Sequence, residues 1–417
     1  MSDKSIPKVL LSAYACEPTK GSEPGVGWCW QKGLSDKVTL TVLTRENSRA
    51  LIEEAIAQEG EGSQLKNTRF IYHDLSNGFL WLKAKGFLPA FIYYVIWQIS
   101  AARKFHQLAE EHDVVHHLTF CSLLCPGFWK VSKAKFMIGP VGAPLVDSRY
   151  LKLFGSKAPV QYLRSLVMRR FMALPWLNSL FHRASVIVPA NTSTRDLLIE
   201  QGLKPKPVML DTGSPVHDEM TDLSRPTKTS EDGCRFVYAG RLEARKGLLL
   251  SIRAFGLACQ NREFCGRFAI IGDGPQKKYL FDLVQSLGLR ERVFFLGQRS
   301  LAEVYFEFRA SDVFLFSSVR DTSGGVNLEA MSLGLPVVCI NHQGVEDITT
   351  DRCALRVNPD TIQRTIENLA EMIVKMDSDP DLRNRLSIEA IGRAKEDFRW
   401  EDKFVKMVSY YQESLSR

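Results

Sequence analysis

The sequence predicts an α/β protein of two doubly wound, Rossmann-like domains facing across a cleft. Three observations predict it. Short apolar runs that do not alternate recur along the chain, each followed by a helical segment, the pattern of parallel strands buried on both faces. A polar break over residues 214–233, SPVHDEMTDLSRPTKTSEDG, divides those runs into two sets. The 417 residues suit two or three domains of ~100–200 residues each.

In chain order, the first set of expected strands is Val9–Ala13, Leu40–Leu43, Phe70–Tyr72, Val114–His116, Phe136–Gly139, Val186–Pro189 and Val208–Leu210. The second is Phe236–Ala239, Phe268–Ile271, Val293–Leu296, Val313–Phe316 and Val337–Ile340. Ile362, Ile366, Leu369, Ile373 and Met376 step by four, three, four and three, one apolar stripe of a helix. Phe398–Tyr411 is also amphipathic. The expected organisation is a domain over residues 1–215, a second over 216–395 and a terminal helix over 396–417.

Hydrophobic residues make up 45% and charged residues 24%, as in a globular protein with a large core. The nine cysteines form no C-x-x-C pair, so zinc ribbons and thioredoxin-type motifs find no support, and reduced, buried, cytoplasmic cysteines are expected. No run reaches the ~18 apolar residues of a spanning helix. Residues 1–215 hold 26 Lys/Arg against 17 Asp/Glu, a charge of +9, and the remaining 28 and 30 give −2, so the excess of +7 sits in the first half. That field suits an anionic partner, including the inner face of a membrane. Arg149–Arg183, basic and aromatic, together with Phe79–Tyr94, reads either as an interfacial surface or as ordinary helices with core-facing aromatics.

The chemistry concentrates after the strands. In Ser317–Val338, SSVRDTSGGVNLEAMSLGLPVV, an apolar strand leads into a loop with Asp321, then Ser323, Gly324, Gly325, Val326 and Asn327 open a helix carrying Glu329. A strand, a glycine turn and a helix N-terminus offer free N–H groups to an anion. Carboxylates cannot help there, but they accept hydrogen bonds from hydroxyls. Such a site suits a nucleotide sugar. Gly240-Arg241-Leu242-Glu243-Ala244-Arg245-Lys246-Gly247 follows the first strand of the second set and brings fixed cations, which stabilise a departing diphosphate. Arg245 reads as part of a solvated basic loop. Gly272 and Gly274 end the next strand, either for close approach to a ligand or as a simple turn. Gly21, Ser22 and Gly25 lie in a glycine-rich loop after the chain's first strand, and Trp28 and Trp30 read as packing.

These motifs resemble those of the large retaining glycosyltransferase family typified by sucrose and glycogen synthases and bacterial mannosyltransferases, group 1 of the GT-B fold. That family carries two Glu separated by seven residues, an Ala-Met helix and a Gly-x-Pro-Val-Val strand. Here Glu329, Ala330, Met331, Gly334, Pro336, Val337 and Val338 match, and Asp321 replaces the first Glu. The resemblance implies that Arg241 and Lys246 bind the donor diphosphate, that Asp321 contacts the sugar, and that Glu329 takes ribose hydroxyls. It implies main-chain contacts to the nucleobase at Leu296 and Gly297, donor or acceptor contacts at Gly21, Ser22 and Gly25, and a terminal helix over 396–417 that crosses back to pack on the first domain. A His at the end of a first-domain strand often touches the donor sugar. His116 and His117 are adjacent, strand side chains alternate, and His117 is chosen as nearer the loop.

The implied partners are a nucleotide sugar, as co-substrate with no resident cofactor, and a glycan or lipid-linked acceptor in cell-surface polysaccharide or glycolipid synthesis. The implied place is the cytoplasm, peripheral at the membrane's inner face. A dinucleotide fold lacks its G-x-G-x-x-G, no Walker motif occurs, and nothing signals nucleic acid. Asp377-Ser378-Asp379 reads as a helix-capping loop, so no metal site is expected. An epimerase or a non-catalytic partner subunit are the alternatives, the latter favoured by Asp321.

Overall fold

A computed structural model describes residues 6–18, 20–60, 63–214 and 233–416. Most of the expected inter-domain break lies outside the described residues. The chain forms two compact units. The first comprises Met1–Ala143, Met168–Thr212 and Trp400–Arg417, the second Pro144–Val167 and Gly213–Arg399.

The first unit carries strands β1 (Lys8–Ser12), β2 (Thr39–Thr44), β3 (Arg69–Tyr72), β4 (Val114–His117), β5 (Lys135–Val141) and β6 (Ala184–Pro189), in the order β3-β2-β1-β4-β5-β6. The second carries β7 (Arg235–Ala239), β8 (Arg267–Ile271), β9 (Val293–Gly297), β10 (Val313–Phe316), β11 (Val337–Ile340) and β12 (Ala354–Val357), in the order β12-β11-β10-β7-β8-β9. Every named pairing is parallel. In each unit the order reverses beside the first strand, between β1 and β4 and between β7 and β10. Doubly wound sheets bind ligands at the carboxyl ends of the strands flanking that reversal. These are two six-stranded doubly wound sheets, as the sequence predicts.

Three expectations about elements change. Val208–Leu210 is not a strand. It runs beside β6, with Lys206 N–H to Ile187 O at 2.8 Å and Met209 N–H to Pro189 O at 2.9 Å, but builds no ladder. β12 was not anticipated, because its run ALRV holds Arg356, whose Nε donates to Asp351 at 2.7 Å. Pro144–Val167, placed by sequence position in the first domain, compacts with the second unit. There Tyr150 Oη lies 2.9 Å from Thr365 Oγ1, and Gln343 Nε2 donates to Leu145 O at 2.8 Å. The basic and aromatic segment Arg149–Arg183 is thus divided between the two units.

The terminal helix Trp400–Leu415 belongs to the first unit, where Phe404, Met407 and Tyr411 join Trp30, Leu34, Val9 and Leu11 in one buried cluster. Trp30 is fully buried, as packing requires. Asp379 caps helix Pro380–Asp397 by accepting the Leu382 N–H at 2.8 Å, and Asp377 accepts the Cys234 and Cys265 N–H groups. Asp379 alone is a cap, while Asp377 lies in the last turn of helix Ile362–Ser378. All nine cysteines are free thiols. Among the described residues no helix is long and apolar enough to cross a membrane.

Candidate active site

In the second unit, the loops after β7 and β10 leave the two strands that flank the reversal. They meet through Lys246, whose ammonium donates to the Asp321 carboxylate. The pair is 13% and 15% exposed, and Arg245 Nη1 lies 3.9 Å from the same oxygen. Burial drives the Asp321 carboxyl up, but the charges of Lys246 and Arg245, the Lys246 hydrogen bond and the Gly324 N–H outweigh it. The carboxyl therefore sits below the usual carboxylate range. Asp321 and Lys246, which the sequence reading gave separate tasks, form one ion pair.

Arg245 departs from its expected place in a solvated loop. Its side chain is three-quarters buried, its Nε donates to Glu243 at 2.7 Å, and its carbonyl accepts the N–H groups of Val319 and Arg320 and the hydroxyl of Ser318. Gly247, at φ 64°, brings the loop so close to Ser317 that an added Cβ would lie 1.9 Å from its carbonyl oxygen. Gln343 holds a left-handed φ of 53°, and its Oε1 accepts the Asp321 N–H at 2.8 Å. A non-glycine residue in that region marks backbone held in place by its surroundings.

Arg241 is exposed, and its loop is held by the Tyr238 hydroxyl donating to the Arg241 carbonyl at 3.2 Å. It lines a cavity of about 520 Å³ with Gly240, Gly272, Asp273, Gly274, Gln298 and Arg299. Gly272 and Gly274 are glycines because protein backbone approaches them. A Cβ on Gly272 would lie 2.0 Å from Gly240 O, and one on Gly274 would lie 2.5 Å from Leu242 O. Leu296 and Gly297 end β9, and Gly297 O accepts the Gly272 N–H at 2.8 Å. Gln298 and Arg299, the next two residues, were not singled out from the sequence. The signal available was only their position after Gly297.

Lys246, Asp321, Glu329 and the Gly324–Asn327 turn do not line this cavity. The turn opens helix Val326–Ser332, where the Asn327 N–H donates to Gly324 O at 2.9 Å and the Leu328 N–H to Gly325 O at 2.8 Å. Asn327 Nδ2 donates to Gly324 O at 2.7 Å, Gly324 has φ 66°, and Ser323 is buried. Glu329 is half-buried, and burial pushes its carboxyl up to about 7.

The remaining expected residues lie in the first unit. Gly21 and Ser22 begin helix Ser22–Leu34 and are exposed, with Ser22 at φ 58°. Gly25 is required by the fold, since a Cβ there would lie 2.1 Å from Lys20 O. His116 and His117 are both fully buried at the end of β4. His116 bonds the Tyr411 hydroxyl at 2.7 Å and Gly139 O, so it is a satisfied core residue. His117 reaches the Tyr94 hydroxyl at 3.3 Å, packs against Gly127, and is pushed down to about 3, by burial and then by His116. Glu23, not singled out from the sequence, accepts the Phe120 N–H at 3.0 Å, and burial and then the Asp211 charge push it up to about 7.

Residues 220–393 match the model of the family described as glycosyl transferases group 1. Over that stretch the chain is similar to that family. The group 1 stretch contains every site residue of the second unit discussed above. A putative colanic acid biosynthesis glycosyltransferase of Escherichia coli is 26% identical over 215 residues, covering 49% of this chain and 51% of that protein. A lipopolysaccharide core biosynthesis glycosyltransferase of Rhizobium meliloti is 32% identical over 163 residues, covering 38% and 44%. Across these matches the chain spans about half the length of its curated relatives or less. Among solved structures, sucrose-phosphate synthase from Thermosynechococcus elongatus aligns with a TM-score of 0.64 at 17% identity, covering 98% of this chain and 99% of that one. An Anabaena protein crystallised with UDP aligns at 0.61 with 16% identity, covering 96% and 99%. These likenesses carry the group 1 stretch's fold to the whole chain.

Proposed function

We propose that this chain is a retaining glycosyltransferase, moving a sugar from a nucleotide-sugar donor to a glycan or lipid-linked acceptor in cell-surface polysaccharide or glycolipid synthesis. The observation that carries the reading is that both group 1 motifs leave the strands flanking the β7/β10 reversal and are joined by the Lys246–Asp321 pair. Relatives named for colanic acid and lipopolysaccharide core synthesis support the pathway class, and neighbours crystallised with UDP support the donor class.

In this reading Arg241 and Lys246 hold the donor diphosphate, and the Gly324–Asn327 turn adds N–H groups to it. Arg241 offers a guanidinium fork, and Lys246 a point charge already oriented by Asp321. Asp321 receives sugar hydroxyls and Glu329 ribose hydroxyls, while Leu296, Gly297 and their neighbour Gln298 border the nucleobase. His117 is given the donor sugar, and the Gly21–Gly25 loop the donor phosphate or the acceptor. As charge grows on the leaving diphosphate, the fixed cations stabilise it most in the transition state, and the leaving oxygen itself takes the acceptor proton. The reading needs no resident cofactor or metal, and it places the protein in the cytoplasm, at the membrane's inner face where the acceptor is a lipid.

Arg241→Ala tests it, because the exposed side chain takes no part in the core. Donor hydrolysis or transfer is expected to fall at least ~100-fold with an unchanged melting temperature. Full activity in that variant overturns the assignment.

A further inference from the structure

Three arginines gather beside the Lys246–Asp321 pair, all within the second unit. Helix Ala158–Arg169 presents Gln161 and Arg164 one turn apart, so the two side chains share a face. The Arg320 guanidinium donates to Gln161 Oε1 and lies 5.8 Å over the Phe154 ring. Arg245 reaches in from the β7 loop, and its carbonyl takes the Val319 and Arg320 N–H groups at 2.9 and 3.2 Å, which fixes the two loops against each other. With Lys246, four cations face two carboxylates, Glu243 and Asp321.

Both carboxylates are already engaged by Arg245 and Lys246. Among the described residues, neither Arg164 nor Arg320 has an ion-pair partner. All three arginines are nonetheless partly buried. Burial, then Arg164 and Arg245, depress Arg320 to about 10, and burial, then Arg245, depress Arg164. Half-buried guanidinium groups that repel one another are stabilised by a bound anion, which meets their donor forks in planar, charge-assisted hydrogen bonds.

We infer that Arg164, Arg245 and Arg320 form a second anion site that receives a phosphate or carboxylate group of the acceptor. The inference rests on the glycosyl-transfer reading. It is separate from the donor diphosphate, which that reading assigns to Arg241 and Lys246. Arg245 stands 3.9 Å from Asp321, so an anion held by the cluster lies beside the carboxylate assigned to the donor sugar. An acceptor anchored there is oriented toward the transferred group, and a neutral acceptor forfeits the anchor.

The test uses the full chain with UDP or GDP, whichever raises its melting temperature, present at saturation. Glycerol 1-phosphate and glucuronate are then titrated in separately by calorimetry, so the two arms tell a phosphate-bearing acceptor from a uronate. At least one is expected to bind alongside the nucleotide. Arg164→Gln and Arg320→Gln are each expected to weaken that binding ~10-fold or more, with nucleotide affinity unchanged, and Arg164→Lys is expected to restore part of it. Expulsion of the anion by nucleotide, no binding of either probe, or wild-type anion affinity in Arg164→Gln overturns the inference. If neither nucleotide shifts the melting temperature, the glycosyl-transfer reading fails instead, and the same titrations on the nucleotide-free chain decide the cluster. Arg164 makes no hydrogen bond or ion pair within the described residues, so its replacement leaves the fold intact and the outcome readable.

Discussion

Glu329 and Asp321 show how two carboxyls in one loop-helix segment acquire opposite properties. Asp321 has Lys246 and Arg245 beside it and stays ionised, whereas Glu329 has burial without a cation and titrates at about 7. The unfolded chain's glutamate titrates near ~4.3. Between that value and 7 the folded protein binds more protons than the unfolded one, so stability falls as pH rises through the window. Glu329→Gln removes the titration, and its melting temperature is expected to vary less between pH 5 and pH 8 than the wild type's. Hydroxyls are better received by the ionised carboxylate. Nucleotide affinity attributable to Glu329 is therefore expected to rise roughly tenfold from pH 6 to pH 8. Titrations of both proteins at the two pH values check this, and an identical rise in Glu329→Gln excludes Glu329 from the site. The identities of these acids were legible in the sequence, through their spacing and the glycines beside them. Their electrostatics were not, because Lys246 lies 75 residues from Asp321 in the chain and no local pattern encodes the pairing.

At the level of elements, the strands were legible as short apolar runs. The departures have physical causes. Val208–Leu210 has strand composition but only isolated hydrogen bonds to β6, and β12 hides a paired Arg356 in its short run. In the sequence Arg164 belongs to the basic and aromatic segment Arg149–Arg183, read either as an interfacial surface or as ordinary helices, because local periodicity cannot reveal that Arg320 reaches Gln161 on the same helix. The sequence leaves Gly272 and Gly274 open between close approach to a ligand and a simple turn, and in the structure protein backbone approaches both. Gly272, at φ 129°, is pressed on by the carbonyl of Gly240, while Gly297, at φ 72°, has nothing within 4 Å of its missing Cβ. Gly297→Ala is expected to cost only the left-handed backbone term of about 1 kcal/mol. Gly272→Ala must displace the Gly240–Leu242 loop that carries Arg241. It is expected to cost more stability and to weaken nucleotide binding, which Gly297→Ala spares. Melting curves and nucleotide titrations of both variants check this, and equal effects dismiss the contact as the reason for Gly272.

At the scale of the whole molecule, the chain makes the return of its terminal helix that the family resemblance implies, and passes between its units again at Pro144–Val167. The first unit is completed by Trp400–Arg417, which the chain reaches only after building the second unit from Gly213 to Arg399. That last helix is core and not a tail. The Phe404 ring stands 5.5 Å from Trp30, edge-on, and 5.5 Å from Trp400, stacked, while Gly33 is bare because a Cβ there would lie 1.9 Å from Phe404. Tyr411 bonds His116, and Lys403 donates to Leu210 O at 3.2 Å. All seven tryptophans, at 28, 30, 81, 97, 129, 176 and 400, fall in the first unit, so tryptophan fluorescence follows that unit alone. Phe404→Ala leaves a cavity between two indoles and is expected to lower the fluorescence-monitored unfolding free energy by about 3–5 kcal/mol. UDP bound to the second unit is expected to leave the fluorescence transition less shifted than the loss of second-unit structure followed by proteolysis, since a ligand stabilises what it binds. A change under ~0.5 kcal/mol in Phe404→Ala, the size usual for surface sites, removes the terminal helix from the first unit's core.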